Sequence, residues 1–331
     1  MRRYSAILFV WLATALTGCG ANVLFVSSYN QDDPSTARTY EAYESALRRS
    51  NAGRATVDFH PMDIRGVRSE QARNARANLA RVKVVNSPAK VIVCQDAPAI
   101  EELAETLKGA PVTLIASGMS AHPAEYGLTR QRNCFGVWTP PDLDRAMSMV
   151  KQVAPQARRL AVLSDNSRSS LWALSELNRR TDWPLQIVSI QRVNTREEWL
   201  ASVNALQRQA DAILCVSFSE LETSAGRLAS EQEVANATAR ESRVPTVGLT
   251  RSAVMPNGLL LAVAPSPEAV GRATAEMTEK VLFTRPEAVY PRFRKETESV
   301  SYVNLALAER LRIELPESLV EEAAETVGVP H

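Results

Sequence analysis

Histidine is nearly missing from this chain. Its 331 residues hold three, His60, His122 and His331, and the last is the final residue. They lie far apart, without metal-ligand spacing, and offer little for imidazole acid–base chemistry. The glycine signatures that cradle nucleotide phosphates are absent. No Gly/Ser-rich linker, low-complexity run or strong repeat breaks the sequence. An excess of one charge is missing too: 38 basic residues face 37 acidic ones, so nothing marks the chain for nucleic acid. Long apolar runs are lacking. The stretch 6–16 has eleven residues, whereas a membrane-spanning helix needs roughly 20. Cysteine is scarce: after Cys19 come only Cys94, Cys134 and Cys215. Cys94 and Cys215 sit inside apolar runs, where a free thiol behaves as a small hydrophobe. An odd count describes no disulfide framework, and a bridge through Cys134 stays open.

What is present begins at the N-terminus. Arg2 and Arg3, the apolar run and the small residues after it read as a secretory signal over 1–18. Leu16-Thr17-Gly18-Cys19 resembles the lipobox of bacterial lipoproteins. The resemblance implies cleavage before Cys19 and lipid on its sulfur and new amino terminus. Each buried methylene contributes ~0.8 kcal/mol, so several acyl chains would hold the protein at a membrane. Gly20 follows the cysteine where an aspartate often marks inner-membrane retention, which leaves an outer-membrane tether open. The remaining 313 residues carry 36 basic against 37 acidic groups, enough chain for two lobes with cores.

Those residues alternate apolar strand patterns with amphipathic helix patterns. Strands are predicted at 22–29, 55–62, 90–96, 111–118 and 133–138, with helices over 35–50, 69–85 and 98–108 between them. After Pro140 and Pro141 the rhythm restarts: strands at 159–165, 184–190, 211–218, 244–250 and 258–264, with helices over 141–153, 168–181, 196–209 and from 218 to about 240. Thr195 and Glu198 form a capping box, and Ser266-Pro267 opens a helix to about 283. Strands of near-continuous Val, Ile and Leu covered by helices predict an α/β fold of two doubly wound parallel-sheet lobes. The division falls near 138–140, with several chain crossings at a hinge.

Enzyme signals are poor. Ser148-x-x-Lys151 followed by Ser164-Asp165-Asn166 echoes penicillin-recognising enzymes. The third element, Lys-Thr-Gly, is absent, and the helical pair belongs to a helix expected to cover a sheet. Binding signals are better, because ligands of open α/β sheets sit outside the carboxyl ends of strands. Those ends supply Ser28, Tyr29, Asn30, Gln95, Asp96 and Ser117 in the first lobe, and Asn166, Ser217, Phe218 and Arg251 in the second. Arg251 has the fork that takes a carboxylate, and Tyr29 and Phe218 have faces on which a flat group stacks.

The segments "GLLLAVAPSPEAVGRATAEMTEKVLFTRPEAVYP" and "SVSYVNLALAERLRIELPESLVEEAAETV", with the crossover "CFGVWTPPDLDRAMSMVKQVAPQARRLAVLSD", are similar to those of ABC transporter substrate-binding proteins of the tryptophan/tyrosine type. Gly271-Arg272 through Ala275, Asn304 through Ala308, and Leu311 to Pro316 carry the likeness. The family's glycine before the isoleucine is Arg312 here, and its crossover Thr-Gly is Cys134-Phe135-Gly136. The resemblance implies the type I periplasmic-binding fold, with 19–137 plus about 266–285 as lobe 1 and 138–265 plus about 286–327 as lobe 2. It implies no catalysis, no metal and no cofactor. It implies capture of a small polar ligand for a membrane permease, by a lipid-anchored, periplasm-facing protein; Arg251 and the aromatic strand ends point to an amino acid or similar amphiphile. The alternative is a ligand sensor that signals to a membrane receptor such as a histidine kinase. A neighbouring permease gene favours the first, a kinase gene the second.

Overall fold

In the computed structural model, residues 23–64, 67, 69–254, 256–284 and 288–328 are described. The signal peptide and Cys19 lie outside them.

Four of the first five strands are short apolar runs, the second, Val57–Pro61, is mixed and only partly buried, and the segments between the first four strands are helices that lie on the sheet. In chain order these are β1 (Val23–Ser27), α1 (Pro34–Arg49), β2 (Val57–Pro61), α2 (Glu70–Val85), β3 (Val91–Gln95), α3 (Ala97–Leu103), β4 (Thr113–Met119) and β5 (Cys134–Trp138). The second lobe adds α4 (Leu143–Val153), β6 (Arg159–Ser164), α5 (Arg168–Arg179), β7 (Gln186–Arg192), α6 (Arg196–Leu206), β8 (Ala212–Cys215), α7 (Glu231–Glu241), β9 (Thr246–Gly248) and β10 (Leu261–Pro265). The chain then runs through α8 (Pro267–Phe283), β11 (Phe293–Lys295), β12 (Ser299–Asn304), α9 (Leu305–Leu311), α10 (Glu317–Glu321) and β13 (Glu325–Val327).

The first sheet has the order β11-β5-β4-β3-β1-β2 and is parallel throughout. The second has the order β13-β12-β10-β9-β8-β6-β7, and only its β10–β12 pair is antiparallel. Helices cover both faces of each sheet, as a strand buried on both sides requires. Val23, Phe25 and Ile115 pack under α1 and α8. Leu24, Ile92 and Leu114 pack under α2 and α3. Close approach of α1 to α8 depends on Gly271: a Cβ there would meet the Thr39 carbonyl oxygen and lie 2.9 Å from the Ala42 Cβ and the Tyr43 nitrogen.

Three crossings join the lobes, at 138–143, 265–267 and 295–299. They are tied to one another. Ser266 N–H donates to the Glu298 carbonyl at 2.8 Å, and Glu296 N–H donates to the Trp138 carbonyl at 2.8 Å. β11 pairs with β5 in the first sheet, so the segment after 286 is shared between the lobes instead of belonging wholly to the second. Residues 219–230, read from the sequence as the start of a helix, are a loop; α7 begins at Glu231. The three described cysteines are free and buried. Burial pushes the thiols of Cys94 and Cys215 well up, and the Cys134 thiol donates to Gln131 Oε1 at 3.2 Å.

Candidate functional site in the interlobe cleft

Parallel strands end at the same side of their sheet, so each lobe collects its strand-end loops on one rim. The two rims face each other. Arg168, the first residue of α5, reaches from the second lobe to Glu101 of α3 in the first, Nε to Oε1 at 3.0 Å. Its guanidinium also donates to the Glu125 carbonyl and lies 5.4 Å from the centre of the Tyr126 ring. Trp138 and Trp172 meet edge to face, 5.5 Å between centroids. Beside these contacts Arg38 of α1 approaches Glu325 of β13 at 3.6 Å.

The second rim is organised by Asp165, which is fully buried. Its Oδ1 accepts from Ser167 Oγ at 2.7 Å, Ser170 Oγ at 2.5 Å and Ser167 N–H at 3.1 Å. Its Oδ2 accepts from Ser217 Oγ at 2.9 Å and Glu220 N–H at 3.0 Å. Burial raises its pKa, but these donors favour the charged form and hold the carboxyl below its ordinary range. One charge thus joins the ends of β6 and β8 to the start of α5. Glu220, half-exposed next to it, shows the opposite shift: partial burial and the charges of Asp165 and Glu101 push it up, against the pull of Arg73 and Arg168.

The sequence-selected residues divide by depth. Tyr29 and Asn30 border a hollow of about 360 Å³ shared with Asp32, Asp33 and Asp63. Asn30 Nδ2 donates to Asp63 Oδ1 at 3.0 Å. Asp96 is partly exposed at the end of β3 with φ +69° and ψ 158°, a conformation L-residues rarely adopt and one that concentrates at ligand sites. Asp63 also has positive φ, 51°. Asn166 accepts from Arg192 Nε at 2.8 Å, and Ser217 reaches the rim while bonded to Asp165.

Others stand behind the rim. Ser28 is buried, donating to the Gln95 carbonyl and accepting from Ala99 N–H, both at 2.9 Å. Ser117 bonds Thr274 at 2.7 Å under α8. Gln95 is 3% exposed, and its Oε1 has no hydrogen-bond partner among the described residues. Phe218 packs edge to face on Trp199, 5.4 Å between centroids, in the core. Arg251 gives its fork to Glu325, Nε to Oε2 at 2.9 Å and Nη2 to Oε1 at 2.8 Å. Sequence reading passed over Asp63, Glu101 and Arg168, which lie a turn or a loop beyond the strand ends, and noted Asp165 without a role.

Among the described residues no group of His, Cys, Asp and Glu forms a metal site, and no described helix is long and apolar enough to cross a membrane. Lys151 of the Ser-x-x-Lys pair donates to the carbonyls of Pro155 and Ala157, at 2.7 and 3.0 Å. A larger hollow of about 570 Å³ runs along β7 and the end of α5, at the outer edge of the second sheet and away from the facing rims.

Residues 52–327 match the family model for ABC transporter substrate binding proteins. The chain belongs to that family. Its members are extracytoplasmic binding proteins, not enzymes, and take a small molecule to an ABC permease. Among solved structures, a Streptococcus pneumoniae ABC domain in complex with L-Trp is 18% identical, with TM-score 0.65, over 92% of this chain and 99% of that one. A ligand-free, open substrate binding protein with adhesive properties from Clostridium difficile is 16% identical, with TM-score 0.66, over 93% and 99%. A branched-chain amino acid transporter substrate binding protein from Streptococcus pneumoniae, in complex with isoleucine, is 12% identical, with TM-score 0.53, over 79% and 83%. At these identities the likeness establishes the type I periplasmic-binding fold. Among curated proteins no relative matches.

Proposed function

We propose that this family member is a lipoprotein, processed before Cys19 and facing the periplasm, that captures an amino acid or similar small amphiphile between its lobes for an ABC importer. The observation that carries the reading is the meeting of the two polar rims, bridged by Arg168 and Glu101 with Trp138 and Trp172 beside them. A ligand touching both rims at once favours the closed state by its differential affinity for it. Support for the ligand class comes from the first rim. The aromatic face of Tyr29 and the carboxylates of Asp32, Asp33 and Asp63 border one hollow; Arg76 already pairs with Asp63 and Asp33 caps α1, so the ring of Tyr29 and the carboxylate of Asp32 are the groups that suit an ammonium. L-Trp and isoleucine in the two streptococcal structures point the same way. Arg251, committed to Glu325, positions the rim in this reading, and Tyr29, Asn30, Asp96, Asn166 and Ser217 make the direct contacts, with Ser28, Gln95, Ser117 and Phe218 behind them.

The test is calorimetric and thermal. The chain is screened against the L-amino acids; a ligand at 100 times its Kd adds about 2.7 kcal/mol of stability. Tyr29→Ala is expected to weaken the best ligand about tenfold, a loss near 1.4 kcal/mol. No stabilisation by any amino acid overturns the ligand class.

A further inference from the structure

A polar group buried without a partner is uncommon in a folded chain and has a reason. Tyr302, on β12, is one. The residue is wholly buried, and its hydroxyl has no hydrogen-bond partner among the described residues. A buried hydroxyl is costly to leave unbonded, and phenylalanine would fill nearly the same space. Burial raises the pKa of Tyr302, and charges of both signs act on it: Arg38 and Arg251 lower it, Glu325 and Glu268 raise it.

Arg38, on α1 of the first lobe, is the second group without a partner of its own. A guanidinium carries five N–H donors. This one comes no nearer than 3.6 Å to Glu325 Oε2, beyond hydrogen-bond reach, and donates to no acceptor among the described residues. Its side chain is 33% exposed, so part of the fork is open to solvent. Glu325 is engaged elsewhere: the fork of Arg251 takes both of its oxygens, at 2.9 and 2.8 Å. Tyr302 and Glu325 are register partners in the β12–β13 pair, so their side chains stand next to each other on one face of the sheet. Two donors, one from each lobe, thus stand beside a carboxylate that neither of them bonds.

The charges match this arrangement. Arg251 neutralises Glu325. Glu268 lies in the first turn of α8, where the positive end of the helix offsets it, and it accepts from Ser266 Oγ at 3.5 Å. Arg38 is left as the cation without a counter-ion of its own.

Its place on α1 connects it to the first rim. Pro34 lines the hollow that Tyr29 and Asp32 share. Arg38 follows Pro34 by four residues, on the same face of the helix and ~6 Å along it. A molecule whose ammonium rests at Tyr29 and Asp32 therefore has the fork of Arg38 about one helical turn away.

We propose that Arg38 and Tyr302 take the carboxylate of the bound molecule between the lobes, Arg38 through two parallel N–H bonds and Tyr302 through its O–H. A guanidinium fork suits a carboxylate in this way. The Arg251–Glu325 pair is the platform that holds both donors in place. This deepens the amino-acid reading given above and rests on it. Because the two donors come from opposite lobes, recognition of the carboxylate and closure around the ligand are one event.

The test compares each L-amino acid with its amide, which keeps the ammonium and the side chain but lacks the negative charge. Binding is read by calorimetry and folding by thermal unfolding of the ligand-free chain. The unsubstituted chain is expected to prefer the acid by about tenfold or more, as a hydrogen bond to a charged group implies. Arg38→Ala should weaken the acid by about tenfold and the amide by less than about twofold. Arg38→Lys, a point charge without the fork, should fall between. Tyr302→Phe should leave the ligand-free unfolding temperature unchanged or higher, because its hydroxyl has no bond to lose, and weaken the acid by about tenfold with the amide unchanged. A purely structural role for either residue would weaken acid and amide alike. Equal binding of acid and amide to the unsubstituted chain, or equal losses of both in Arg38→Ala, overturns the carboxylate site and leaves the amino-acid reading standing. Undiminished binding of the acid by Tyr302→Phe overturns it too. Binding of no amino acid and no amide removes the site and the ligand class together.

Discussion

Asp165 is a charge with no cation in contact among the described residues, kept in the folded interior by hydroxyl and amide donors on three elements. Hydrogen bonds to charged groups contribute about 1.5–3 kcal/mol each, and truncation leaves several buried donors without an acceptor. Asp165→Ala is expected to lower stability by about 2–3 kcal/mol in urea unfolding; a change within about 0.5 kcal/mol, the usual scatter of surface substitutions, contradicts the account. Asp165→Asn keeps one oxygen for Ser167 and Ser170 but turns its amide toward the Glu220 N–H, a donor against a donor, so it also destabilises. The pH dependence has a definite sign. The native carboxyl lies below its unfolded value, ~3.9, so its contribution is complete above that value and is lost as pH falls through the native pKa. In Asp165→Asn that acid-side loss shrinks. Glu220 acts in the reverse sense: its raised pKa makes stability fall as pH rises from the ordinary carboxylate value to the native one.

At the scale of elements, local chemistry was largely readable. The Thr195–Glu198 capping box forms as the spacing predicts, Ser266 caps α8 with Pro267 at its first position, and Asn304 caps α9 by accepting from Leu307 N–H at 3.0 Å. Each is a short-range signal between residues three or four apart. The loop at 219–230 was not readable, because its polar residues fit a helix surface equally well; what decides is Asp165, fifty-odd residues earlier, holding the Glu220 N–H at 3.0 Å. β11–β13 were missed because their partners are distant in sequence and two of them have three residues. The departure at Arg312 has a structural meaning. Arg312 ends α9 with φ 56° and ψ 42°, the left-handed conformation that glycine adopts freely and other L-residues adopt at a cost of roughly 1–2 kcal/mol. Its N–H bonds the Ala308 and Glu309 carbonyls, so the turn is kept despite the side chain. Part of the gain from glycine is lost to its freer unfolded chain, and Arg312→Gly is expected to stabilise by about 0.5–1 kcal/mol, read as a higher urea midpoint at unchanged slope. A lower midpoint would show that the arginine side chain contributes more than its conformation costs.

At the scale of the whole molecule, two largely parallel sheets were legible from periodicity, but how the rims meet was not. Alternating apolar runs place strand ends on a rim; they do not say which long side chain crosses the gap. Arg168 looks in sequence like any solvated helix residue. In the fold it touches Glu101, the Glu125 carbonyl and the Tyr126 ring in the opposite lobe. The pair is open to solvent, 46% and 39% exposed, so its strength is that of a surface salt bridge, about 0–1 kcal/mol, and is screened by salt. That is small against the stability of either lobe, yet it bears directly on an equilibrium between closed and open arrangements, where 1 kcal/mol is about fivefold in population. Arg168→Ala is therefore expected to leave the thermal unfolding of the chain nearly unchanged while raising its ligand-free radius of gyration in X-ray scattering. Ligand at saturation should restore the compact value, with Kd weakened by up to about fivefold. High salt should move the unsubstituted chain in the same direction and the variant hardly at all, because the charge that salt screens is already gone. Identical scattering curves for the two chains at low salt would mean that the three crossings, with Glu296 bonded to the Trp138 carbonyl and Ser266 to the Glu298 carbonyl, fix the angle between the lobes without help from the rims.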